Sequence, residues 1–247
     1  MINNSLIIPC YNEEKNIKRL IELCKKYLNS DENELILVNN GSDDKTEEII
    51  DYYCKIKNIK KVNIPINKGF GNGIVEGAKV SKGNIIIYTH ADTEANPEDV
   101  LEGLQILKKT NSYEGNFLIK GNRINRRKNN WSYVDIIISS GLSLLISALY
   151  KKTIYDLHAQ PVIFNKKLIN YFNNAPNDFM FDLYIYLLAL KLNFQIIRFP
   201  VEFNKANRLY GSGSNDTFLK KITGILNHLF KLRPLIKSIN KIKKVDY

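Results

Sequence analysis

Ser5-Leu6-Ile7-Ile8-Pro9-Cys10-Tyr11-Asn12-Glu13 is an apolar run that meets a proline and turns polar at once. So short and apolar a run predicts a buried strand over Ser5–Ile8, ended by Pro9. Glu13–Leu28 follows with the spacing of an amphipathic helix. The same unit then recurs. Leu35–Val38 predicts a strand, and Asp44–Lys57 a helix opened by Ser42–Asp43–Asp44 capping. Val62–Ile64 and Gly73–Val80 form the next pair, and Ile85–Thr89 and Pro97–Lys109 the one after, with proline in the helix's first turn. Repeated strand–helix units predict an α/β fold, a Rossmann-like, mostly parallel sheet with helices on both faces. Ligands of such sheets bind beyond the carboxyl ends of the strands, so the residues directly after each strand carry the search for function.

The second half is less regular. It predicts a strand at Phe117–Gly121, an apolar helix at Ile136–Leu149, a strand at Pro161–Phe164, a helix at Phe181–Leu192 and a strand at Gln195–Phe203. A polar loop runs from Asn204 to Asp216. In the tail, Phe218, Leu219, Ile222, Ile225, Leu226, Leu229 and Phe230 share one helical face, interrupted by Pro234. The expected organisation is one α/β domain over residues 1–216 and a basic amphipathic helical tail over 217–247.

The chain has 247 residues, 44% hydrophobic and 25% charged, which excludes disorder as its main state. Cys10, Cys24 and Cys54 are an odd number with no C-x-x-C, which excludes a disulfide scaffold and points to a reducing compartment. Met1–Asn4 is polar, against a secretory signal. Ile136–Tyr150 falls short of the ~20 apolar residues of a membrane span. The net charge of +11 is local: five basic residues lie between Lys120 and Lys128, and eight between Thr217 and Tyr247. Such clusters call for an anionic partner, either an acidic membrane surface or a phosphorylated substrate. Nucleic acid is disfavoured, because the tail lacks aromatic interleaving and no nucleic-acid fold motif is present.

Four segments follow predicted strands and carry chemistry. They are Pro9–Glu13; Asn39–Asn40–Gly41–Ser42–Asp43–Asp44; Asn67–Lys68–Gly69–Phe70–Gly71; and His90–Ala91–Asp92–Thr93–Glu94. Each alone has a plain structural reading: Asn12 capping a helix, a tight turn at Gly41, solvated loops for the rest. The glycines miss the G-x-G-x-x-G dinucleotide spacing, which argues against a nicotinamide or flavin enzyme. In an extended segment His90, Asp92 and Glu94 point the same way and can converge on a divalent metal. Imidazole with carboxylates suits Mn²⁺, whereas Mg²⁺ prefers oxygen ligands.

Together the four segments resemble the inverting family 2 glycosyltransferases of GT-A fold, with their P-x-Y-N-E, V-D-D-G-S-x-D, N-x-G and D-A-D runs. The nearest resemblance is to the dolichyl- or polyprenyl-phosphate sugar synthases, which continue with G-x-R, an Asp before a short strand and a late R-x-x-G-x-S. The matching residues are Gly121–Asn122–Arg123, Asp156 and Arg208–Leu209–Tyr210–Gly211–Ser212–Gly213–Ser214. The chain departs from the pattern at Asn39, Asn40 and His90, where the family carries aspartates.

The resemblance implies transfer of a sugar from a nucleoside diphosphate sugar to a lipid-linked phosphate. Pro9, Tyr11, Asn12, Glu13, Asn39, Asn40, Ser42, Lys68, Gly69 and Arg208 would hold the donor. Asp92, with His90 or Glu94, would hold a divalent metal, Mn or Mg. Arg123, Arg126 and Arg127 would hold the acceptor phosphate. Asp92, Asp156 and Asp182 are the candidate catalytic carboxylates, the last two as bases for a hydroxyl acceptor. The expected location is cytoplasmic, peripheral at the cytoplasmic face of the membrane. Transfer to a saccharide hydroxyl in surface glycan synthesis, or a weakened nucleotide-sugar-binding protein, are the alternatives. The oligomeric state stays open.

Overall fold

In the computed structural model, which describes residues 1–110, 115–208 and 218–243, a seven-stranded sheet has the order β3-β2-β1-β4-β6-β5-β7. Its strands are β1 (Asn4–Cys10), β2 (Asn33–Asn40), β3 (Ile59–Ile64), β4 (Ile85–Tyr88), β5 (Phe117–Arg123), β6 (Val162–Asn165) and β7 (Gln195–Val201). The first four are parallel neighbours; β6 opposes both β4 and β5, and β7 runs with β5. Mostly parallel describes the result, with one reversed strand inside the sheet.

The helices are α1 (Ile17–Leu28), α2 (Thr46–Tyr53), α3 (Phe70–Val80), α4 (Asp99–Lys109), α5 (Tyr133–Tyr150), α6 (Met180–Lys191) and α7 (Phe218–Asn240). Alternation along the strands sorts them onto two faces. Leu6, Ile8, Leu35, Leu37 and Ile87 pack with Leu20 and Cys24 of α1, Ile50 of α2 and Leu107 of α4. Ile7, Ile36, Val38 and Ile86 pack with Ile74 of α3, Ile146 of α5, α6 and the second half of α7.

Three expectations are corrected. Pro9 does not end β1: it pairs with Val38 inside the ladder. β4 has parted from β1 after Ile7↔Tyr88, so the amide hydrogen that proline lacks is not needed on that side. Helix α3 starts at Phe70 rather than Gly73, because its glycines are packing residues. A Cβ on Gly77 would lie 2.4 Å from Ile7 Cγ2, so only glycine lets this helix sit so close on the sheet.

The tail is the third. Helix α7 continues through Pro234, and among its described side chains the buried ones are Leu232, Leu235 and Ile239, packed in the core with α6. Of the apolar face read from the sequence, Leu226, Leu229 and Phe230 are exposed.

Candidate functional site

The loops after β1 and β2 are built against each other. Asn12 has φ 55°, and instead of capping α1 it accepts from the Asp43 amide at 2.9 Å, while its own amide donates to Ser42 Oγ at 3.1 Å. The Glu13 amide donates to Thr46 Oγ1 at 2.8 Å, and burial raises the Glu13 carboxyl to about 7. Asn39 is consumed by the fold: its Nδ2 donates to Asn63 Oδ1 at 2.6 Å, and its Oδ1 accepts from the Ser42 amide at 3.2 Å.

Asn40 is different. Its Nδ2 donates to the Gly69 carbonyl at 3.1 Å, but its buried Oδ1 has no partner among the described residues. Gly69, at φ 114°, lets the chain turn into α3 against Asn177, whose carbonyl would lie 2.4 Å from a Cβ at that position. Pro9 backs the start of α3, while Tyr11 and Lys68 are exposed beside these loops.

At the end of β4 the anticipated convergence forms only in part. Asp92 and Glu94 meet on Arg208, whose guanidinium contacts Asp92 Oδ2 and lies 3.1 Å from Glu94 Oε1 through Nε. Burial opposes the charge on Arg208, but Asp92 and Glu94 outweigh it and raise its pKa. Burial, with Asp92 beside it, raises the Glu94 carboxyl. His90 does not join them. Thr93 at φ 60° breaks the extended alternation, and the His90 ring lies 4.6 Å from that of Phe70 and 6.0 Å from that of Phe179. Burial keeps His90 toward its neutral form, against the pull of Asp92 and Asp182. Three contacts hold the Arg208 segment down: Thr93 Oγ1 and Arg19 donate to the Asn207 carbonyl at 2.9 and 3.1 Å, and the Asn204 amide donates to the Glu94 carbonyl at 3.0 Å. Leu209–Ser214, the rest of the late motif, lies outside the described residues.

Two of the three arginines proposed from the sequence for the acceptor phosphate, Arg123 and Arg126, are paired with Asp156. Arg123 donates to Asp156 from its amide at 2.6 Å and from Nε at 2.8 Å, and its Nη2 contacts the same carboxylate. Arg126 reaches Asp156 Oδ2 at 3.1 Å and Ser139 Oγ of α5 at 2.9 Å. Burial alone would raise the Asp156 pKa; Arg123 and then Arg126 reverse this and lower it. A carboxylate so engaged holds two arginines and is no general base. Arg127 is exposed, lies over the Tyr133 ring at 3.8 Å and donates to the Trp131 carbonyl at 2.7 Å.

Asp182, the other candidate base, is fully buried near the start of α6. Tyr88 Oη donates to it at 2.6 Å, His158 Nδ1 lies at 3.4 Å, and Lys120 Nζ at 3.8 Å. Burial opposes its ionisation, yet Lys120 and His158 bring its pKa well below the usual range. Burial pushes Lys120 down to about 8, and its Nζ has no hydrogen-bond partner among the described residues. Lys120 and Tyr88, which lie inside apolar strands, and His158, in the loop before β6, are not among the candidates the sequence offers. The one available signal for Lys120 was a lysine in the middle of a buried strand.

Among the described residues, no three His, Cys, Asp or Glu side chains gather closely enough to hold a metal by themselves. The two carboxylates on Arg208 do fit a cation shared with a phosphorylated ligand, because Mg²⁺ is commonly bound by one or two carboxylates, phosphate oxygens and water. The site therefore offers a carboxylate pair and a phosphate-seeking guanidinium after β4 and an unpaired amide oxygen at the end of β2, with β1 between them.

Among solved structures, the fold resembles glucosyl-3-phosphoglycerate synthase from Mycobacterium tuberculosis, in complex with Mn²⁺, uridine diphosphate and phosphoglyceric acid. The TM-score is 0.71 at 16% identity, covering 98% of this chain and 80% of that one. Among curated proteins, dolichyl-phosphate beta-glucosyltransferase ALG5A of Trichomonas vaginalis is 30% identical over 81% of this chain and 65% of its own length. Dolichol-phosphate mannosyltransferase of Pyrococcus furiosus is 24% identical over 62% of this chain and 42% of its own. The chain thus spans less than two thirds of these relatives. The family model for glycosyl transferase family 2 matches residues 5–173, most of the sheet and both carboxylates of the site though not Arg208, and the chain belongs to that family.

Proposed function

We propose that the chain is an inverting sugar transferase that moves a sugar from a nucleoside diphosphate sugar to a polyprenyl phosphate at the cytoplasmic membrane surface. The observation that carries this reading is the pairing of Asp92 and Glu94 with Arg208 at the end of β4, on the same edge of the sheet as the open Asn40 acceptor at the end of β2. Asn40 Oδ1 can accept an N–H from the base, and Tyr11 and Lys68 flank the nucleoside. Arg208 exchanges its carboxylate partners for the diphosphate, which a guanidinium binds as a two-point fork. Asp92 and Glu94, released from it, would hold a divalent cation, Mn or Mg. Such an ion supplies positive charge to the leaving diphosphate. The acceptor oxygen approaches the anomeric carbon from the face opposite that diphosphate, which inverts the configuration.

Two features support a lipid acceptor. The curated relatives carry dolichyl- and dolichol-phosphate in their names. Helix α5, read from the sequence as short of a span over Ile136–Tyr150, runs over Tyr133–Tyr150 and is by length and composition apolar enough to cross a membrane, yet only 11% of it is buried in the protein. Exposed Ile137, Leu144 and Leu149 lie along it, with basic Arg127 and Lys128 before it and Lys151 and Lys152 after it. An apolar face with cationic ends suits the interface of an anionic bilayer.

The test is incubation of the chain with labelled nucleotide sugars, polyprenyl phosphate and Mn²⁺ or Mg²⁺, followed by solvent extraction. Label in the organic phase supports the reading; consumption of no donor by the folded chain overturns it. Asp92→Ala is expected to abolish transfer.

A further inference from the structure

With Arg123 and Arg126 held by Asp156, the acceptor phosphate of the proposed reaction needs other donors. His158, in the loop before β6, and His228, on α7, stand with ring centroids 5.7 Å apart at an interplanar angle of 90°. Both are half-buried. Each is oriented through Nδ1. His158 Nδ1 lies 3.4 Å from Asp182 Oδ2, and His228 Nδ1 lies 2.9 Å from the Gly224 carbonyl. An ionised carboxylate and a carbonyl can only accept, so Nδ1 carries the proton in both rings. Each Nε2 is then left without a hydrogen bond among the described residues.

We infer that His158 and His228 form a phosphate-binding site that receives the acceptor's headgroup, with Asp182 as the positioning residue for His158. This rests on the transferase reading above. A phosphate docking against the Nε2 edges of the two rings, rather than between rings already in edge-to-face contact, would accept Nε2–H from each imidazolium while Nδ1–H stays on its own acceptor. Burial keeps His228 toward its neutral form, so the bound anion must supply the charge that favours its imidazolium. Asp182 and Lys120 lie behind His158, His90 lies toward Asp92, and Asp178 and Lys231 lie beside His228. Lys231 pairs with Asp178, anchoring α7 to the start of α6. Helix α7 is thereby part of the acceptor site as well as of the core.

The test uses the full chain labelled with ¹⁵N in its histidine rings, titrated with farnesyl phosphate, with inorganic phosphate and with uridine diphosphate. Farnesyl phosphate is expected to shift the ring signals that vanish in His158→Gln and His228→Gln, and to be bound with net proton uptake. Each variant is expected to bind it about 10- to 100-fold more weakly, the size of one charge-assisted hydrogen bond. Equal response to inorganic phosphate would keep the site and assign it to a free phosphorylated acceptor. Rings unmoved by either phosphate, in a chain that still glycosylates farnesyl phosphate, would overturn the site and spare the transferase reading. Shifted rings in a chain that consumes no nucleotide sugar would do the reverse.

Discussion

Arg123 and Asp156 are the residues whose meaning changes most between sequence and structure. Read along the chain, one is a phosphate ligand and the other a base; folded, they form one ion-paired cluster with Arg126. Removing one member of a buried pair leaves an uncompensated charge, at a cost of about 3–5 kcal/mol. Arg123→Ala is therefore expected to lower the urea midpoint sharply, and Arg123→Lys to restore only part, since an ammonium cannot reproduce the fork. A wild-type midpoint in Arg123→Ala would refute this. Asp99 gives a pH signature. Burial, then Glu102 and Glu98, raise its carboxyl to about 7. A raised acid pKa means the folded state binds the proton more tightly than the unfolded chain. Its contribution is then full below about pH 4 and is lost as pH rises through 7. Asp99→Asn should match wild type at pH 4 and melt about 2–4 °C higher at pH 8, the size of ~1 kcal/mol. Equal melting temperatures at pH 8 would contradict that environment.

At the scale of elements, the parallel half of the sheet was legible because its strands are pure apolar runs bounded by polar loops. The limits of that legibility have physical causes. Glycines that look like helix breakers in Gly69–Phe70–Gly71–Asn72–Gly73 are there for close approach, a tertiary fact. Helix α5 reads as apolar core by composition, yet the fold leaves Ile137 at 69% and Leu144 at 72% exposure. Ile137→Glu with Leu144→Glu is expected to reduce co-sedimentation with anionic vesicles at low salt and to leave the melting temperature within about 2 °C, as exposed substitutions do. Undiminished sedimentation would remove α5 from the membrane surface.

For the whole molecule, the carboxylate site was visible in the sequence because every member but Arg208 follows a strand, and Arg208 stood out through the family resemblance. His158 and Lys120 were not visible, since their roles depend on pairings made far along the chain. The tail was misjudged for a similar reason. Leu226, Leu229 and Phe230, from the strongly periodic first half, are exposed, while buried Leu232, Leu235 and Ile239 lie around and beyond a proline. Truncation after Asp216 removes Leu232, Leu235 and Ile239 from the core with α6, so it should lower stability far more than loss of a surface appendage. The single change Leu235→Ala should itself cost about 2–5 kcal/mol by chemical denaturation. A truncated chain as stable as the full one would return α7 to the status of an appendage.

Strand β6, alone in running backwards, lies between β4 and β5 and is paired to both. Neighbouring strands lie about 4.8 Å apart, so Tyr88 of β4 and Lys120 of β5, both opposite Val162, are held about 10 Å from each other by backbone hydrogen bonds. The carboxylates after β4 and the Arg123–Asp156 knot after β5 therefore stand at a fixed gauge that no side chain sets. Exchanging side chains at either tip can retune which sugar or acceptor fits while the span between them stays constant. A deletion within 157–160, by pulling β6 out of step with both neighbours, would alter the span itself.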